Sequence, residues 1–200
     1  QLRNRLATYQ RLAATGRDEA FLRAAWRTER DPALRPVIAE LLYKADPSDP
    51  SSVAAFLASF SADREIFGRL RKAVGEESLP VLGTLFDLAA GGNARAIAHL
   101  LTLVGSTEEG DPLEAELAKG MAEVGRNAPD ELLAALEEES DSAQLKAVRL
   151  LALGIASEEE SGEGTFASTL ADEGADVRLT TFARTVETRL LSEESAEAGP

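Results

Sequence analysis

The sequence predicts an all-α protein, a right-handed stack of antiparallel helix pairs with about twelve helices, on three observations. An apolar helix, a short polar or Gly-containing break and a second apolar helix recur at 82–104, 132–153 and 166–190. Each copy alone has one apolar face and nothing to bury it against, and stacking is the remedy. Segment boundaries carry helix signals. Alternating strand-type patterns are missing, and β-branched residues are sparse beside Ala, Leu, Glu and Arg, which favour helix.

Taken in order, the helices are expected over 4–15, 18–30, 32–44, 50–60, 62–74, 77–90, 93–104, 112–124, 129–139, 142–156, 165–172 and 175–191. Asp31-Pro32, Asp49-Pro50 and Asp111-Pro112 each set a capping carboxylate before a proline whose missing N–H costs nothing in a first helical turn. Glu114 follows Asp111 at the spacing of a capping box. Pro36 and Pro80 fall early in their helices, where proline is tolerated and shifts the start. Gly16, Gly75, Gly105, Gly125 and Gly154 close apolar runs, as left-handed C-cap residues do. Two stretches read as unfolded, the acidic Gly/Ser loop 157–164 and the tail 193–200.

Charge divides the chain more sharply than its net of −14 suggests. Residues 1–75 hold thirteen Lys and Arg against nine Asp and Glu, a net of +4; residues 76–200 hold eight against twenty-six, a net of −18. The expected organisation is an Arg-rich helical region over 1–75, acidic helical repeats over 76–192, and the tail. An acidic surface of this strength repels nucleic acid and anionic lipid and attracts basic proteins. With no cysteine, disulfides and thiolate chemistry are excluded. No apolar run approaches the roughly 18–20 residues that span a bilayer. A start at Gln1 rather than Met reads as removal of an upstream segment, by a signal peptidase or by trimming, with a periplasmic setting slightly ahead of a cytoplasmic one.

The stretch L-A-D-E-G-A-D-V-R-L-T-T-F-A-R-T-V at 170–186 resembles a HEAT repeat: a helix ending in Leu, a short turn, and Asp-Val-Arg opening the second helix. Asp176, Val177 and Arg178 occupy those places, and Arg178 can bridge to the neighbouring repeat. Asn93, Arg95 and Ile97 in the first unit, and Asp141, Lys146, Ala147 and Val148 in the middle one, follow the pattern more loosely. The resemblance runs over 79–191, with an added helix at 112–124. It implies a HEAT-like α-solenoid that binds other proteins along one face, and it implies no catalytic residues.

The residues themselves favour the same class. His99 is the single histidine, so any His-based metal cluster or triad would rest on it alone. It falls opposite the face of Ile97, Leu100, Leu101 and Val104, as a solvated or interface histidine does. Glu137-Glu138-Glu139 and Glu158-Glu159-Glu160 spread their carboxylates around a helix or along a loop, so they read as solvated surface rather than a metal or sugar site. No metal ligands, catalytic residues or cofactor are assigned.

The sharpest local candidate is the second helix. Arg23, Arg27 and Arg30 form one stripe, Phe21, Leu22 and Ala25 the buried side, and Trp26 lies on the border. A Trp beside an Arg stripe has the composition of a partner-docking hot spot. It suits better still a half-buried core Trp with Arg stems packed over it, a cation–π pair serving stability. The expectation is therefore a non-catalytic scaffold of bacterial-type composition, in a cell-envelope or secretion assembly, docking a protein partner with a basic surface. Self-assembly of Arg-rich front on acidic rear, and a carboxylate-dependent hydrolase, are the alternatives.

Overall fold

The computed structural model describes residues 1–15, 19–60, 63–74, 80–156 and 164–197. Among them lie twelve helices and no strand: α1 (Leu2–Ala14), α2 (Glu19–Thr28), α3 (Arg35–Ala45), α4 (Pro50–Ser59), α5 (Arg64–Val74), α6 (Pro80–Ala90), α7 (Ala94–Ser106), α8 (Glu114–Asn127), α9 (Pro129–Glu137), α10 (Asp141–Ile155), α11 (Phe166–Asp172) and α12 (Val177–Glu197). The chain divides into two compact units, Gln1–Thr84 and Leu85–Pro200. The division falls inside α6 rather than at residues 75/76, where the charge changes.

One of the three Asp-Pro starts read from the sequence caps its helix directly, and three further helices are capped by side chains that the sequence reading did not single out as caps. Asp49 caps α4 by accepting from the Ser51 N–H, and Asn93 caps α7 by accepting from the N–H groups of Arg95 and Ala96. Ser140 and Thr165 do the same for α10 and α11. At the other two Asp-Pro pairs the carboxylate caps a turn that precedes the helix. Asp31 Oδ1 accepts from Ala33 N–H before α3 begins at Arg35, and Asp111 Oδ1 accepts from Leu113 N–H before α8 begins at Glu114. Glu114 does reach backward, to the Gly110 N–H at 3.2 Å. Helix α12 continues to Glu197, so 193–197 of the stretch read as a tail carries helical backbone. Residues 198–200, the loop 157–163, Gly16 and Gly75 lie outside the described residues.

In the first unit α3 is the central helix, touching α1, α2 and α4. Its Ile38 and Leu42 pack with Leu22 and Ala25 of α2, and Tyr9, Ala13, Trp26 and Leu41 close over them. Phe56 of α4 and Phe60 at its C-cap meet with their rings tilted by 55° and 5.8 Å between centroids. Glu40 is buried beside this core, accepting from Thr84 Oγ1 at 2.9 Å and pairing with Lys44 at 2.7 Å. A buried carboxylate without such partners would be strongly destabilising.

In the second unit α10 is central, touching α7, α8, α9, α11 and α12. Glycines make its closest contact possible. A Cβ at Gly154 of α10 would fall on the carbonyl oxygen of Ala118 in α8, and one at Gly125 of α8 would lie 2.8 Å from Leu151 Cδ1. Gly120 likewise receives the Phe86 ring, 2.5 Å from where a Cβ would stand. Gly105, Gly125 and Gly154 lie within the last turn of their helices and none has a positive φ, so the expectation that they are left-handed C-cap residues is corrected. Missing side chains let two helices approach, and that use leaves the same mark in a sequence as a C-cap. Among the described residues the left-handed glycines are Gly92, Gly110 and Gly174, each in a turn.

Candidate functional site

Helix α2 separates the four residues read as a docking stripe. Trp26 is half-buried against the α2–α3 core, and the guanidinium lying 4.0 Å over its ring belongs to Arg35 of α3. That same guanidinium donates to the carbonyls of Glu29 (2.8 Å) and Trp26 (3.2 Å), which satisfies the C-terminal end of α2. Arg23 pairs with Glu19 at 2.7 Å and reaches toward Asp49 at 3.9 Å. Arg27 is exposed, and Arg30 lies beyond the end of the helix. The structure therefore keeps Arg23 and Arg27 on one face and does not bring Arg30 into line with them. Phe21, expected on the buried side, is 47% exposed.

Beside this helix lies a polar cluster that sequence reasoning missed. Glu29 is 7% exposed, and its carboxylate accepts from Arg5 Nη1 (3.0 Å), Tyr9 Oη (2.8 Å) and the backbone N–H groups of Arg30 (3.0 Å) and Asp31 (2.9 Å). Arg5 also pairs with Asp31 at 3.1 Å, and Asp31 receives Arg69 of α5 at 3.2 Å. Burial by itself pushes Glu29 up, but the Asp31 N–H, the Tyr9 hydroxyl, Arg5 and the Arg30 N–H together hold its pKa below the usual carboxylate value. Burial, and then the bond to Glu29, raises the Tyr9 phenol. The cluster is saturated from within: it ties α1, the α2–α3 turn and α5 together.

The second unit presents a different surface. Partitioned at Thr84, the first unit has thirteen basic and eleven acidic residues, and the second has eight basic and twenty-four acidic. Four of those eight cations serve the fold. Lys146 donates to the Gly105 carbonyl at the end of α7 (2.9 Å), and Arg149 grips Glu114 with two bonds (3.0 and 3.2 Å). Arg178 pairs with Asp130 of α9 and with Asp176, while Arg189 bridges Gln144 (2.7 Å) and Asp141 (2.9 Å). The Arg149 bonds hold Glu114 below the usual carboxylate range, and Arg178 does the same for Asp176. Glu187 is spent on the N–H groups of Phe166 and Ala167 at the start of α11. Glu131, Glu137 and Glu138 of the α9 region stay exposed.

A cleft of about 510 Å³ opens where the start of α8 meets the end of α10. Its apolar lining includes Ala115, Ala118 and Leu153, the last 49% exposed, and Asp111 and Glu114 stand at its rim with Lys119. An exposed leucine in such a cleft would gain free energy on leaving water. No sequence signal marked it, since Leu153 belongs to the continuous apolar run of α10. His99 is half-buried on α7, and Val177 at the start of α12 is 78% exposed. Among the described residues no group of three or more His, Cys, Asp or Glu is placed to hold a metal ion. No helix there is long and apolar enough to cross a membrane.

No protein-family model matches this chain, and neither a curated protein nor a solved structure matches it.

Proposed function

We propose that the protein is a non-catalytic helical scaffold whose second unit docks a protein partner bearing a basic surface. The observation that carries this reading is the imbalance of exposed charge on that unit. Lys146, Arg149, Arg178 and Arg189 are occupied within it, while Glu131, Glu137 and Glu138 face solvent. A surface of this kind steers a cationic partner to it and disfavours anionic ones, nucleic acid among them.

A short stack of HEAT-like helix pairs is the architecture we propose for this unit. Contacts between alternate helices support it, α7 with α9, α8 with α10 and α10 with α12, as does the Arg178–Asp130 pair joining α12 to α9. Such stacks present one continuous side to a partner. The α2 region with Arg23, Trp26, Arg27 and Arg30 is a secondary contact in this reading, Arg23 and Arg27 on its exposed face.

Capture of partners from the source cell with the full chain as bait tests the proposal. A dominant basic partner, retained at low salt, released at moderate salt and lost from a Glu131→Lys/Glu137→Lys/Glu138→Lys variant, is the expected result. Retention indifferent to both salt and charge reversal contradicts it. Recovery of the chain's own copies alone, in a mass that grows with concentration and collapses in salt, favours self-association instead.

A further inference from the structure

We infer that the cleft between the start of α8 and the end of α10 seats one large apolar side chain presented by a basic amphipathic helix of the partner; this rests on the acidic-surface reading above. The cleft has the two parts such an anchor needs. Its floor is apolar and nearly featureless: Ala115 and Ala118 on one wall, Leu153 and Gly154 on the other. The two helices approach so closely there that a Cβ at Gly154 would fall on the Ala118 carbonyl oxygen.

Its rim is acidic. Asp111 and Glu114 line it, and Glu109, 86% exposed, stands 3.7 Å from Arg149, the residue that grips Glu114. Arg149 and Glu114 are spent on each other, which leaves Asp111 and Glu109 against Lys119. A basic helix with one projecting Leu, Met or Phe matches both parts. The anchor leaves water on Leu153 and the alanines while lysines or arginines flanking it meet the rim.

Two synthetic helical peptides of equal length and charge separate this claim from the reading beneath it. One carries Leu along the apolar face of a Lys-rich amphipathic helix, and the other carries Ala at the same places. Titrated into the isotope-labelled full chain, the Leu peptide is expected to shift the amide resonances of Ala115, Ala118, Leu153 and Gly154 and to bind about tenfold more tightly than the Ala peptide. Leu153→Ser, at an exposed position that does not threaten folding, is expected to erase that difference while leaving the weaker charge-driven binding of both peptides in place. Equal affinities, with shifts spread over α9 and away from the cleft, overturn the inference and leave the acidic surface standing. Absence of binding by either peptide at low salt overturns both.

Discussion

Glu29 shows how a residue that looks solvated in sequence comes to hold a unit together. It sits in the polar run T-E-R-D-P, yet it is buried under Arg5 and Tyr9, residues twenty or more positions away. Its folded-state pKa lies below the unfolded value, so its stabilisation is present above the ordinary carboxylate range and is lost as pH falls through the depressed value. Denaturant unfolding followed by Trp26, the single tryptophan and a first-unit residue, should therefore show stability falling with acidification below that range. Glu29→Gln should cost about 2–3 kcal/mol at neutral pH and flatten that acid slope. Tyr9→Phe should cost about 1 kcal/mol. A variant as stable as the parent at neutral pH would show that the cluster is incidental. Arg35→Lys tests the neighbouring contact: it keeps the charge but loses the planar stack on Trp26 and the fork to two carbonyls. Altered Trp26 emission and a loss of about 1–2 kcal/mol are expected.

At the scale of the element, helix propensity and packing predict opposite signs for glycine substitutions. Gly→Ala within an exposed helix should stabilise by about 0.5–1 kcal/mol. Gly68 in α5 and Gly83 in α6 have open space around the missing Cβ, and Ala there should raise the thermal midpoint. Gly154→Ala should do the reverse, by about 2 kcal/mol or more, because the methyl group meets the Ala118 backbone, which cannot turn aside. Thermal unfolding by far-UV circular dichroism reads both signs. A stabilising Gly154→Ala would mean that α8 and α10 stand further apart than described here.

The same glycines mark where sequence reasoning stopped. The existence of every helix was legible, because a cap such as Asp49 and the 3.6-residue apolar rhythm act over a few positions. Gly125 and Gly154 were not, because a last-turn glycine and a left-handed C-cap glycine look alike in a sequence. The Arg23–Arg27–Arg30 stripe failed for a related reason: its spacing assumed a helix through Arg30, and α2 ends at Thr28, where Arg35 takes up its free carbonyls. Phe21 came out exposed because the partners of α2 approach from the side of Leu22, Ala25 and Trp26. Leu153 was hidden in the opposite way, as one apolar residue among many in α10, and only the three-dimensional neighbourhood left it open.

For the whole molecule the central claim is electrostatic. Two units of one chain differ in charge composition, thirteen basic to eleven acidic in the first and eight to twenty-four in the second, and the second ties up half its cations internally. Exposed charge interactions weaken when the screening length falls from about 10 Å at 0.1 M salt to about 3 Å at 1 M, so docking on this surface must follow ionic strength. Apolar anchoring at Leu153 would persist as a weaker, salt-insensitive remainder.

The most direct test is the affinity of the full chain for its captured partner, measured across ionic strength for the parent and for Glu131→Lys/Glu137→Lys/Glu138→Lys. The account predicts that affinity falls steeply with salt for the parent, and that the variant binds about tenfold or more weakly at low salt with a shallower dependence. An affinity flat in salt and unchanged by the three reversals would contradict it.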